Sequence, residues 1–503
     1  MNALAKSLGS YWSYSIAIVA AAFVVSPVVV QRLGPESYGL WSALLSAGGS
    51  LAVLDFGVHA ALVRQIAMHA ARGDESALRA TYSTALTLLG AFATVTFATL
   101  FFGSASLVDF FGVGADARGE AILVCRIVAV DFALGLFGAA FLGALAGLQQ
   151  FVRVNLATIG LVIAKSVVLV VMLERGAGLT TVALVQVAAT LCKHTMQYVL
   201  LRRERPTLRW RHSEWSGSCA RELLSYGAYA VVAVLALKLL LYTDAIVIAR
   251  CLSTAHVTAY AVPASILEHV ERLALAGIAV LVPWISAKDA RGDVDGQRSL
   301  YLAGTRYAAL LLLPIVATLY AVGDDFLRVW MGRDVAEHGS GVLRILVVGQ
   351  LFALPQLLAH GVLKGTGRVR FLAATLIAQA LGNLALSLWW VRDHGLVGVA
   401  FGTLVPVLFV NAGILPVALC RMLGLAPLRY AVRAYALPLA LAAGFAGIEF
   451  AFPFSAAGYA GIALYAFIAI VVVGLATWWF GFEPHHRRRL AASLTRRRDS
   501  LPR

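Results

Sequence analysis

The chain has 503 residues, of which 60% are hydrophobic and 13% charged. That balance excludes an ordinary soluble core of this size and points to a polytopic membrane protein. The net charge is +15, but the basic residues gather in the pieces between and after the apolar runs, so they read as topology signals and contacts to anionic lipid rather than a nucleic-acid surface.

Apolar runs of about 20 residues match a ~30 Å hydrocarbon core. They predict about fourteen membrane helices, at 11–30, 38–63, 82–102, 121–148, 154–173, 179–201, 223–249, 257–285, 300–322, 341–363, 371–391, 396–419, 432–452 and 457–480. The connecting loops are too short to hold a soluble domain. The first span lacks a small-residue cleavage site and is expected to stay in the mature protein. Counted from a cytoplasmic amino terminus, roughly 27 of the 41 Lys and Arg fall on the cytoplasmic side and roughly 7 outside. Both termini are therefore expected in the cytoplasm. The richest basic pieces are 202–221 and the tail from Arg487 to Arg503. Five scattered cysteines with no paired spacing indicate neither a disulfide framework nor a metal site. No GxxxxGK[ST] loop is present, so transport cannot draw on ATP by that route, and no cofactor is expected.

The chain repeats itself after about 220 residues, an offset consistent with two halves of six spans each. Leu33 to Trp41 lines up with Leu252 to Tyr260, Gly143 to Phe151 with Gly361 to Val369, and Arg126 with Arg344. Six spans return the chain to the same side, so the halves share one orientation about an axis along the membrane normal. The expected fold is all-α, with two six-helix bundles in a parallel pseudo-two-fold arrangement and two further C-terminal helices. The divisions expected are 1–205 for the first bundle, 206–222 for a basic linker, 223–420 for the second bundle, 421–482 for the extra helices and 483–503 for a basic tail.

The run Arg32-Leu-Gly-Pro-Glu-Ser-Tyr-Gly-Leu-Trp41, then Leu54-Asp-Phe-Gly57 and Ala61-Leu-Val-Arg64, resembles the first two helices of Wzx-like oligosaccharide flippases. These belong to the multidrug/oligosaccharidyl-lipid/polysaccharide (MOP) exporter superfamily. The residues carrying the likeness are Arg32, Gly34, Pro35, Glu36, Tyr38, Gly39, Asp55 and Gly57. The resemblance implies a MATE-like pair of bundles in the bacterial inner membrane. It further implies flipping of undecaprenyl-diphosphate-linked oligosaccharide repeat units to the outer leaflet by alternating access. Partners would be the lipid-linked glycan, the bilayer, and a polysaccharide polymerase with its chain-length machinery.

An ionisable side chain at the bilayer centre costs on the order of 3 kcal/mol, so each one needs a reason. In the first half these are Arg126, Asp131 and Lys165; in the second, Lys238, Asp244, Glu268, Glu271, Arg272 and Arg344. Arg126, Lys165, Lys238, Arg272 and Arg344 are candidates for a cationic cavity that would receive a diphosphate. For Lys165 the competing reading is an ion pair with Asp131, and for Arg272 a helical pair with Glu268 four residues earlier. Asp131, Asp244, Glu268 and Glu271 are candidates for ion coupling. Gln186, Thr190, Lys193 and Gln197 share one helix face, which points either at a cavity or at another helix. His269 and His360 read as packing groups, as do Ser42, Ser46 and Ser50.

Two other transporters fit the same pattern: a peptidoglycan lipid precursor flippase and a drug or cation exporter. From another class, a membrane glycosyltransferase, polymerase or ligase would need catalytic residues in an outer loop. The loop at 323–340, with Asp324, Asp325, Arg328, Arg333, Asp334 and Glu337, is the cluster that resembles such a site. The bland reading of that cluster is a solvated loop with Trp330 at the interface.

Overall fold

A computed structural model describes residues 2–51, 55, 57–279, 292–451 and 458–481. Leu54, Phe56 and the tail from Arg487 lie outside the described residues, as do the side chain of Lys238 and the end of the span expected at 257–285. Within them the chain forms α1 (Asn2–Leu33), α2 (Pro35–Leu51), α3 (Val58–Arg72), α4 (Glu75–Phe102), α5 (Ser104–Phe110), α6 (Ala115–Gly147), α7 (Phe151–Glu174) and α8 (Leu179–Glu204). It continues through α9 (Gly217–Cys251), α10 (Thr254–Ala279), α11 (Val294–Met331), α12 (Arg333–Gly365), α13 (Val369–Leu408), α14 (Leu415–Leu423), α15 (Pro427–Ala451) and α16 (Gly458–Ala476). No strand occurs among the described residues. Nine stretches among them are long and apolar enough to cross a membrane.

Three expected elements differ in form. The span at 38–63 is two helices, because the Asp55 carboxylate accepts the Gly57 N–H at 2.8 Å. Gly57 itself takes φ 71°, a conformation that ends one helix and starts the next at little cost to glycine. The span at 396–419 is separated from 371–391 as expected, by the non-helical backbone of Gly395 (φ 55°) inside α13, but it passes through a π-helical turn at Phe409–Ile414 into α14. The loop expected at 323–340 is largely helical: α11 runs on to Met331 past a kink at Val322, and Trp330 is buried within the protein.

The chain divides into two compact units, Met1–Val280 with Gly367–Pro406, and Leu281–Thr366 with Val407–Arg503. The first has a core of Leu62, Ile66, Tyr82, Leu145 and Leu201. Here α2 packs against α9 and α10. The approach is so close that a Cβ at Gly39 would collide with the Thr254 carbonyl, and one at Gly49 would press on the Tyr242 ring. The Thr258 hydroxyl donates to the Pro35 carbonyl across the same contact.

In the second unit α11 packs against α12, α15 and α16. A buried polar knot fixes α15 there. Tyr301 donates to Gln356 Oε1 at 3.0 Å, and Gln356 Nε2 donates to Tyr430 and Tyr435 at 2.9 Å each. The Tyr301 and Tyr430 rings stack at 4.8 Å. Such a knot holds only while every member is satisfied. Gln356→Leu should leave buried hydroxyls unpaired at about 1–3 kcal/mol each. We expect a melting temperature in detergent several degrees below wild type, and a smaller drop for Tyr435→Phe. An unchanged melting curve for Gln356→Leu would remove the knot as an anchor.

Candidate functional site

The first unit contains a cavity of about 360 Å³ among α1, α2, α7 and α8. Its walls are mostly apolar, with Val25, Val29, Trp41 and Leu169 prominent, and its polar lining includes Tyr38, Lys165 and Gln186. The motif that carries the family likeness builds one wall. Gly34 (φ 82°) turns the chain between α1 and α2, and the following turn of α2 presents Tyr38 and Trp41 to the cavity. Arg32 closes the same end by pairing with Glu174 at the end of α7. Glu36 is exposed.

Lys165 donates to Gln186 Oε1. The amide nitrogen of Gln186 donates in turn to Asp131 Oδ2 at 3.2 Å and approaches Thr190 Oγ1 at 3.5 Å. A glutamine therefore stands between the lysine and the acid, where a direct ion pair was one expectation. The other carboxylate oxygen, Asp131 Oδ1, is buried with no hydrogen-bond partner among the described residues. Lys193 also couples electrostatically to Asp131.

The polar stripe of α8 splits by depth of burial. Gln186 lines the cavity, while Thr190 and Gln197 are buried. Gln197 bonds His194 Nδ1 at 2.9 Å. His194 fits against α6 only because residue 138 is glycine; any Cβ there would strike the imidazole. The pairing of His194 with a glycine on another helix left no signal in the spacing.

Asp244 on α9 is buried in a cluster of neutral donors. Tyr260 and Thr403 donate to Oδ2 at 2.6 and 2.8 Å, and Asn383 and Ser387 donate to Oδ1 at 3.2 and 3.3 Å. Thr243 donates to Asn383 Oδ1 at 3.3 Å. None of these neutral partners was singled out from the sequence. The i, i+4 spacing of Asn383 and Ser387 on α13 was the available sign.

Of the remaining charged candidates, Glu268 acts electrostatically on Tyr38 of the cavity wall. Arg126 is exposed, donates to Ser104 Oγ at 3.3 Å and sits 5.1 Å from the Phe101 ring centre. Arg344 in the second unit is bound to Asp324 at 2.7 Å. Glu268, Glu271 and Arg272 share α10, with Arg272 acting electrostatically on both acids. Lys238 is on α9.

A helical membrane protein with buried ionisable groups along a cavity belongs to the class of polytopic transporters. Residues 4–288 match the model of the polysaccharide biosynthesis protein family, and 230–389 match the MatE model. The chain belongs to the polysaccharide biosynthesis protein family. It is 20% identical over 410 residues to a Shigella flexneri protein named "Putative O-antigen transporter", covering 80% of this chain and 94% of that one. Solved structures share the fold. An inward-facing multidrug resistance MATE transporter of the MOP superfamily gives a TM-score of 0.70 at 15% identity, over 83% of this chain and 98% of that one. The lipid II flippase MurJ in an inward closed conformation gives 0.69 at 11% identity, over 93% and 98%.

Lys165→Ala would leave the cavity without the ammonium that Gln186 holds. In a strain lacking the native gene, surface polysaccharide should fall steeply. Membrane levels should be unchanged, and Lys165→Arg should recover part of the activity. Full export from Lys165→Ala would show that the cation is dispensable.

Proposed function

We propose that the protein flips an undecaprenyl-diphosphate-linked oligosaccharide repeat unit from the cytoplasmic to the outer leaflet of a bacterial inner membrane. The observation that carries this reading is the Lys165 ammonium on a mostly apolar cavity wall, held through Gln186 by Asp131. A diphosphate headgroup entering the membrane loses its water, and a cation held in low dielectric replaces part of that hydration. Neutral groups such as Gln186 and Tyr38 suit sugar hydroxyls. The inside-negative potential favours outward movement of the anion by about 2.3 kcal/mol per charge at 100 mV, or roughly 4.6 kcal/mol for an unneutralised dianion. The basic bias of the loops supports cytoplasmic termini, and the internal repeat supports two six-helix bundles with a two-helix extension.

Alternating access requires one end of the path to close while the other opens. The tight packing of Gly39 on Thr254, with the Thr258 to Pro35 hydrogen bond, supports a seal at the α1–α2 turn. Gly39→Val is expected to hold that end apart and stop export, with a cysteine at position 35 becoming accessible to a membrane-impermeant thiol reagent from outside the cell. Equal accessibility in both proteins would rule out that seal.

Asp244 is our candidate for coupling to a cation gradient. Its neighbours offer hydroxyl and amide oxygens, and all four donors to its carboxylate are uncharged. That environment suits a proton or a small monovalent cation. Asp244→Asn should retain substrate binding and lose the response of flipping to an imposed proton or sodium gradient. A gradient response equal to wild type would release Asp244 from that role.

The decisive test of function is the leaflet distribution of lipid-linked glycan in cells with and without the gene. Accumulation on the cytoplasmic side with loss of surface polysaccharide is expected. Normal sidedness with unpolymerised glycan outside would favour an enzyme and move attention to Asp324 and Asp325.

A further inference from the structure

We propose that the linker between α8 and α9 is a docked binding site for the headgroups of anionic phospholipids. The segment from Arg205 to Ser216 is bound along α4 rather than hanging free. Glu75, Arg79, Ser83 and Thr87 recur every four residues on α4, which makes them neighbours on one helix face, and each takes a partner from the linker. Arg205 and Thr207 donate to Glu75 at 2.9 and 3.0 Å. Arg79 lies 3.6 Å from Glu214, and Ser83 donates to Glu214 at 3.3 Å. The Trp210 indole N–H donates to Thr87 at 3.1 Å, and the Ser216 N–H to Thr84 at 3.1 Å. Leu208 is fully buried in the core of the first unit.

Docking neutralises the acids and leaves basic and aromatic groups facing outward. Glu75 is met by Arg205, Glu204 by Arg153 and Glu214 by Arg79. Arg203 and Arg209 are exposed, and their guanidinium groups have no acceptor among the described residues. Trp210 and Trp215 remain 54% and 40% exposed.

The depth of this surface matches the edge of a bilayer. α4 has 28 residues, about 42 Å at 1.5 Å per residue, so about eight of them extend beyond a ~30 Å hydrocarbon core. Counting back about 20 residues from Phe102 sets the near boundary close to Ser83. The Arg209 carbonyl accepts from Ser83, and Trp210 lies one turn deeper at Thr87. An arginine at the phosphate level and a tryptophan just inside it are the arrangement that membrane interfaces favour. The basic bias assigns this side to the cytoplasm, where anionic lipids attract such segments. α4 contributes no residue to the cavity that holds Lys165, so this surface is separate from the proposed substrate site.

The test uses the full-length protein, released from mixed micelles of phosphatidylglycerol and phosphatidylcholine and read by native mass spectrometry. Wild type should retain phosphatidylglycerol preferentially. The preference should fall about fivefold for each arginine removed in R203Q and R203Q/R209Q. R175Q/R333Q, whose two exposed arginines fall on the outer side by the same loop count, should behave as wild type. Trp210→Phe should reduce quenching of tryptophan fluorescence by brominated phosphatidylglycerol, an independent reading of the same contact. An unchanged preference in R203Q/R209Q would overturn the proposal. So would displacement of the bound lipid by inorganic diphosphate at the concentration that occupies the Lys165 cavity, because the surface would then be a general phosphate site.

Discussion

The chain from Lys165 through Gln186 to Asp131 is the interaction on which the first unit's site depends. A lone ammonium in hydrocarbon is costly, and a direct lysine–carboxylate pair would cancel the positive charge that an anionic ligand needs. A glutamine between them solves both problems. Its carbonyl accepts from the lysine and its amide donates to the acid, so the acid stabilises the lysine without taking up its donors. An ammonium has three hydrogens, which leaves capacity for a ligand. The same chain ties α6, α7 and α8 together, because each supplies one member.

Asp244 shows the opposite solution. There the acid is buried among neutral donors from α10 and α13. Close helix approach makes this possible, since Gly402 has no side chain to push Ser387 away. Positive charge is offered at one site and negative charge at the other. That division is what the proposed function requires, a carrier that moves an anion and responds to a cation.

Most of the long helices could be read from hydropathy because lipid imposes a length and a composition on a crossing helix. Lys165, Asp131 and Asp244 stood out for the related reason that charge within a span is expensive. What escaped was neutral or local. Tyr260, Asn383, Ser387 and Thr403 look like ordinary packing residues in an apolar helix, and only the fold brings them to one carboxylate. The break at Asp55–Gly57 depends on one side-chain hydrogen bond and one positive φ, which the hydrophobic pattern runs straight across. The stripe on α4 that holds the linker was hidden similarly, because Ser83 and Thr87 gain their meaning from Glu214 and Trp210, far away in sequence.

The measurement that tests the account most directly is the affinity of the purified protein for a short-chain isoprenoid lipid bearing one sugar, joined through a diphosphate or through a monophosphate. The account requires tighter binding of the diphosphate in wild type and loss of that difference in Lys165→Met, with the melting temperature retained. Equal affinity for both lipids in wild type, or a preference that survives Lys165→Met, would contradict it.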